Sequence, residues 1–227
     1  MATAWIAARI MLMVLSQHMA SLQKETKQRA IQELLGSSTH SRDFYILLIG
    51  AVLLAIGGIF ADSIPVLIAS MIVAPLAYPI LALGLAIAVG DVRLLLRTSF
   101  FFLLVCVISL LLAILATIFF SEIRVKDVYI TFTTNHYLAF MVAIVAGGIA
   151  AYGTLRPKVA AAITGVAIAV SLMPPLVATG IGIASLDSDL MRDASAIFGL
   201  NVLGILMAST AVFSMVKMRK VYKHGKK

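Results

Sequence analysis

The sequence has little charge, and what it has stays out of its long apolar runs. Charged residues make up 12% of the chain and hydrophobic ones 62%, with a mean hydropathy of +1.07, which excludes an ordinary soluble domain. An integral membrane protein follows. No Asp, Glu, Lys or Arg falls near the centre of any apolar run, which argues against a carboxylate proton relay, a voltage sensor or a pump. A single cysteine, Cys106, inside an apolar run, excludes a disulfide framework and reads as a buried apolar filler. The histidines, His18, His40, His136 and His224, are scattered without metal-ligand spacing. "GIGIAS" at 180–185 lacks the lysine and the preceding strand of a nucleotide loop, and reads as packing. The chain is therefore expected to be no enzyme, to hold no cofactor or metal, and to bind no nucleic acid. Its net charge of +8 collects at the chain ends and in short loops, which suits an anionic membrane surface.

Six apolar segments are present, near 44–61, 63–90, 94–120, 137–155, 158–186 and 192–216. Against roughly 17 to 25 residues per crossing, the second and fifth are too long for one straight helix. Both contain prolines: Pro75 and Pro79 in one, Pro174 and Pro175 in the other. Proline inside a helix removes a donor and clashes with the preceding turn, at a cost of roughly 3 kcal/mol. Lipid cannot repair exposed backbone, so such breaks persist only where protein or a cavity covers them. Each long segment is expected to be two half-helices of roughly ten to twelve residues meeting near mid-bilayer, with the second half starting after Pro79 or Pro175.

The two broken segments also match each other. Shifting residues 158–203 back by 96 positions superposes Pro175 on Pro79, Gly180 on Gly84, Ile183 on Ile87, Ala184 on Ala88, Asp187 on Asp91, Leu190 on Leu94, Ser195 on Ser99 and Phe198 on Phe102. Cations set the orientation. Lys24, Lys27, Arg29 and Arg42 precede the first span, and Lys217, Arg219, Lys220, Lys223, Lys226 and Lys227 follow the sixth. The bias of Lys and Arg puts both termini in the cytoplasm. With three spans per half, the second half enters from the opposite face. The expected fold is thus all-α, with six transmembrane segments arranged as two inverted three-span repeats broken in spans 2 and 5. That is the plan of many secondary transporters, with the site where the breaks meet.

The breaks offer helix N-termini for an anionic or polar group and unpaired carbonyls for a donor. Around them lie Ser70, Tyr78, Ser171 and Thr179, with Asn201 from the last span, a neutral lining. Each of Ser70, Ser171 and Thr179 could equally repair broken backbone or join helices, and Asn201 could serve packing. Asp91 and Asp187 close the broken spans as gating candidates, or as helix-end carboxylates paired with Arg93 or Arg192. The expected function is a channel or facilitator for a small anionic or neutral solute. The alternative is a structural or regulatory module that binds lipid or a partner without transport. Small residues four apart, Gly84 with Ala88, Ala143 with Gly147, Ala161 with Gly165 and Gly180 with Ala184, allow close helix approach within a chain or between subunits of a homo-oligomer.

The segments "YILLIGAVLLAIGG", "ASMIVAPLAYPILALGLAIAVGD" and "GVAIAVSLMPPLVATGIGIA", with the Asn201-containing last span, resemble the prokaryotic membrane family catalogued as domain of unknown function 389. The resemblance covers roughly residues 43–216, implies a prokaryotic cytoplasmic membrane protein, and supplies no substrate. In that family the first break often carries two glycines or Gly-Pro. Here it reads Ala74-Pro75-Leu76-Ala77-Tyr78-Pro79, and Tyr78 makes the gap bulkier and adds a hydroxyl. The chain divides into an amphipathic, cytoplasmic or interfacial helical region at 1–42, repeats at 43–125 and 126–217, and a basic cytoplasmic tail at 218–227.

Overall fold

The computed structural model describes residues 24–37, 41–120, 136–156 and 172–225, and among them every regular element is helical. In chain order these are α1 (Lys24–Ser37), α2 (Arg42–Phe60), α3 (Ile64–Val73), α4 (Ala77–Val89), α5 (Val92–Phe119), α6 (His136–Thr154), α7 (Leu172–Ala184), α8 (Ser188–Met215) and α9 (Met218–Gly225). Four helices, α2, α5, α6 and α8, are long and apolar enough to cross a membrane, and the bent pair α3 and α4 passes the same test as one unit. Their limits fall within four residues of the apolar segments. The expected N-terminal region is described only as α1; residues 1–23, Ser171, and the Ala161 and Gly165 pair lie outside the described residues.

The first broken segment has a local cause at each side. Ala74 takes extended backbone (φ −63°, ψ 122°), as expected for a residue followed by proline. Pro75 has no N–H for the Met71 carbonyl, so α3 stops after 10 residues. The chain restarts at Ala77, with Leu76 as the N-cap residue. This corrects the expectation that half-helices start after Pro79 and Pro175: α7 likewise already includes Pro174 and Pro175. Pro79 is the third helical residue, where a backbone N–H would have no intrahelical acceptor, so proline fits there without breaking anything. The two half-helices meet at 53° and run about 15 and 20 Å at 1.5 Å per residue.

Two connections repeat one construction. α4 ends at Gly90 with φ 69°, and its N–H bonds back to Ala86 and Ile87. Two residues after α7, Leu186 has φ 56°, and its N–H bonds to Ile183. The next residue caps the following helix each time: Asp91 Oδ1 accepts from the Leu94 N–H at 3.1 Å, and Asp187 Oδ1 from the Leu190 N–H at 3.0 Å. Both helices that follow, α5 and α8, have 28 residues.

Packing is set by small residues. α6 lies along α8, where a methyl group on Gly147 would sit 2.7 Å from the Ile205 Cα and one on Gly204 would sit 2.8 Å from the Ala143 Cβ. α2 pairs with α3 and α5, with the Phe44 and Phe101 rings 5.1 Å apart. α4 is enclosed by α5, α8, α1 and α9, and nine of its residues from Pro79 to Val89 are buried.

Candidate functional site

The short helices α4 and α7 each carry a glycine that lets them touch one long helix. A methyl group on Gly84 would overlap the Ser209 side chain and lie 3.5 Å from the Thr210 nitrogen. On Gly180 it would lie 2.6 Å from the Ala113 Cβ and 3.6 Å from the Ile114 nitrogen. Gly84 and Gly180 stand 96 residues apart, and so do Ala113 and Ser209, and Ile114 and Thr210. The same contact therefore occurs twice, 96 positions apart: α4 on α8, and α7 on α5.

The two contacts differ in chemistry. On α8, the Thr210 hydroxyl donates to the Gly84 carbonyl at 3.3 Å, a bond across 126 positions. On α5, the corresponding residues are Ala113 and Ile114, whose side chains carry no hydroxyl. Ser209 and Thr210 escaped sequence reasoning. The shift that pairs the proline motifs carries Ser209 onto Ala113 without identity, so the pairing shows as shared smallness.

Among the residues expected to line a pathway, Ser70, Pro79, Pro174, Pro175, Thr179 and Asn201 are buried, and Pro75 and Tyr78 are half-buried. The Ser70 hydroxyl donates to the Leu67 carbonyl and the Thr179 hydroxyl to the Pro175 carbonyl, both at 2.7 Å. Each satisfies backbone within its own helix, one just before the first break and one just after the second proline motif. Asn201, 4% exposed, sits on α8 on the protein side of the helix, together with Ala194, Ile197, Gly204 and Ile205. An apolar depression of about 490 Å³ opens elsewhere, between α2 and α5, lined by Leu53, Ile56, Phe60, Ala116 and Phe120.

Asp91 and Asp187 end up in different surroundings. Asp91 Oδ2 accepts from the Tyr222 hydroxyl of α9 at 2.9 Å. Asp187 caps α8 with two backbone N–H groups, from Asp189 and Leu190. Arg192 bonds to Asp189 at 3.2 Å and lies 3.5 Å from Asp193. The tail expected at 218–227 thus begins as a helix folded against the bundle, with Met218 and Val221 buried. Next to it, the Lys27 ammonium of α1 donates to the Val216 carbonyl at 3.0 Å. Its pKa is held below the ordinary lysine value by burial and then by the nearby Lys217.

The first proline motif, Gly84, Gly180 and Asn201 all fall inside the segment matched by the family model described as Domain of unknown function (DUF389), residues 71–207. The chain belongs to this family. It is 28% identical over 197 residues to an uncharacterised protein of Methanocaldococcus jannaschii, which covers 85% of this chain and 61% of that relative. The chain thus spans under two thirds of the length of the curated relative it matches. No solved structure matches it.

Proposed function

We propose that this family member is a membrane channel or facilitative transporter for a small anionic or neutral solute, built as two inverted three-span repeats with spans 2 and 5 broken at their prolines. The observation that carries the reading is the exchanged pair of contacts, Gly84 on Ser209 and Gly180 on Ala113. α4 finishes beside the end of α8, where Tyr222 meets Asp91. The Asp187 turn lies at the start of α8, 28 residues or about 42 Å away. The two capped turns therefore belong to opposite ends of the bundle, as an inverted repeat requires. In that arrangement the half-helices meet at the midplane, where helix termini face a solute. Ser70, Pro75, Tyr78 and Pro79 from the first break, Ser171, Pro174, Pro175 and Thr179 from the second, and Asn201 form the pathway. Asp91 and Asp187 close its two ends.

A second reading has its own support. The hydroxyls of Ser70 and Thr179 are spent on their own helices, as in a structural or regulatory module whose breaks only shape the bundle.

Flux into liposomes separates the two. The reconstituted chain is screened with small anions, neutral polyols and monovalent cations, alongside Asn201→Leu. A transport protein passes one class, and Asn201→Leu alters that flux without unfolding. Correctly inserted protein that passes none of the solutes supports the structural reading. Orientation is checked by cysteine labelling from outside: modification at position 220 but not at 123 overturns the inverted arrangement.

A further inference from the structure

The two 28-residue helices are longer than a membrane is thick, and their surplus differs in charge. At 1.5 Å per residue α5 runs about 42 Å, against roughly 30 Å of hydrocarbon. About eight residues of α5 must therefore project beyond the apolar layer. Its last residues, Ile118 and Phe119, and the following Phe120 are apolar and exposed, which keeps that end in lipid. The projecting part is the first two turns. There Val92, Leu96 and Phe100 form an exposed apolar stripe, each about two-thirds exposed, and Arg93 and Arg97 stand exposed one position further round. An arginine beside an apolar stripe lays its stem along lipid and lifts its guanidinium to the headgroups.

The fold then adds cations from the far end of the chain. The Tyr222 hydroxyl on Asp91 joins α9 to the N-cap of α5, while Met218 and Val221 turn inward. Lys217 and Arg219 are left exposed. α1 packs on α9 and α4 and adds the exposed Arg29. The acid closest to this group, Asp91, is engaged by Tyr222 and the Leu94 N–H. Glu25 and Glu33 on α1 and Asp43 on α2 are the other acids of these elements, and with Asp91 they are fewer than the lysines and arginines of α1, α2, α5 and the α8 to α9 corner. The first two turns of α8, the counterpart at the opposite end, hold Asp189, Arg192 and Asp193 paired with one another.

We infer that the first turns of α5 and the α8 to α9 corner, joined by Asp91 and Tyr222, form a binding surface for anionic phospholipid headgroups. Guanidinium groups fit phosphodiester oxygens in paired hydrogen bonds. Each cation near an anionic leaflet is worth roughly a fivefold gain in partition.

The test uses the full chain in nanodiscs containing phosphatidylcholine and phosphatidylglycerol, with native mass spectrometry reading the lipids retained on release. Wild type should retain phosphatidylglycerol in excess of its share. Arg93→Gln with Arg97→Gln, and Lys217→Gln with Arg219→Gln, should each cut the enrichment by roughly fivefold per charge removed. Arg93→Lys with Arg97→Lys should keep most of it, which separates lost charge from lost fold. Tyr222→Phe removes no charge, so a reduced enrichment there supports assembly of the surface by the Asp91 bond. Arg192→Gln should leave enrichment unchanged. Equal retention of the two lipids by wild type, or an Arg192→Gln loss matching that of the α5 pair, overturns the proposal. So does full displacement by millimolar inorganic phosphate, which assigns the cations to a free anion.

Discussion

The Asp91 turn and the Asp187 turn are built alike and used differently. Each follows a short helix, passes through one left-handed residue and caps a 28-residue helix with a carboxylate. The Asp91 turn is covered by α9 through Tyr222, while the residues after Asp187 form an exposed patch of ion pairs. At the left-handed position the first has Gly90 and the second Leu186, 91% exposed. Glycine adopts that backbone freely, whereas a residue with a Cβ costs roughly 1–2 kcal/mol there. Matched geometry with unmatched chemistry marks what the fold needs twice and what it needs once.

The glycines give the sharpest way to break the comparison. Gly147→Leu should be the most damaging, because its neighbour is the Ile205 backbone, which cannot swing aside. Gly84→Leu and Gly180→Leu should follow, each costing at least about 1–3 kcal/mol as overpacking does. Gly148→Leu should be nearly silent, since nothing lies within 4 Å of its face. Thermal unfolding in detergent reads all four. Equal effects at 147 and 148 would dissolve the close-contact account of α6 on α8.

A smaller difference is expected at the caps. Asp91→Ala and Asp187→Ala should each lose about 1 kcal/mol for the cap, with a further 0.5–1.5 kcal/mol or so at Asp91 for the Tyr222 hydrogen bond. Tyr222→Phe should reproduce only that extra part. A double-mutant cycle between Asp91 and Tyr222 measures it, and a coupling near zero would leave α9 resting on the bundle through Met218 and Val221 alone.

The smallest effect concerns pH at the covered end. Burial and Lys217 depress the Lys27 pKa below its unfolded value, so the unfolded chain binds more protons between the two values. Stability should therefore rise with pH through the folded pKa toward about 10.5, and fall back on acidification. Lys27→Met should flatten that alkaline rise while Arg29→Gln leaves it. Melting curves between neutral pH and pH 10.5 or so settle the sign.

Much of this organisation was legible in the sequence because it is local. Span limits follow from apolar length, the end of α3 from Pro75, and the twin turns from the recurrence of proline, glycine and aspartate at Pro79, Gly84, Asp91 and Pro175, Gly180, Asp187. Pro79 was misjudged because a proline's effect depends on its distance from the helix start, which only the position of Ala77 reveals. Thr210, Tyr222 and Lys27 were not legible as contacts: each bonds a partner more than 120 positions away, and no periodicity reports such pairs. Ser171 lies outside the described residues, as does the rest of the fifth apolar segment before Leu172.

The contact of Gly84 with Ser209 and Thr210 also has a consequence in time. α4 is too short to cross a bilayer alone, and its buried face is completed by a helix made 125 residues later. At roughly 5–20 residues per second of synthesis, α4 exists for about 6 to 25 seconds before α8 is available to cover it. Throughout that interval a bent half-helix with an unfilled groove at Gly84 must be sheltered from lipid by α5, by the insertion machinery or by both. A chain truncated before α8 should accordingly leave α4 reactive to water-borne cysteine reagents at position 84, and completion of α8 should silence it.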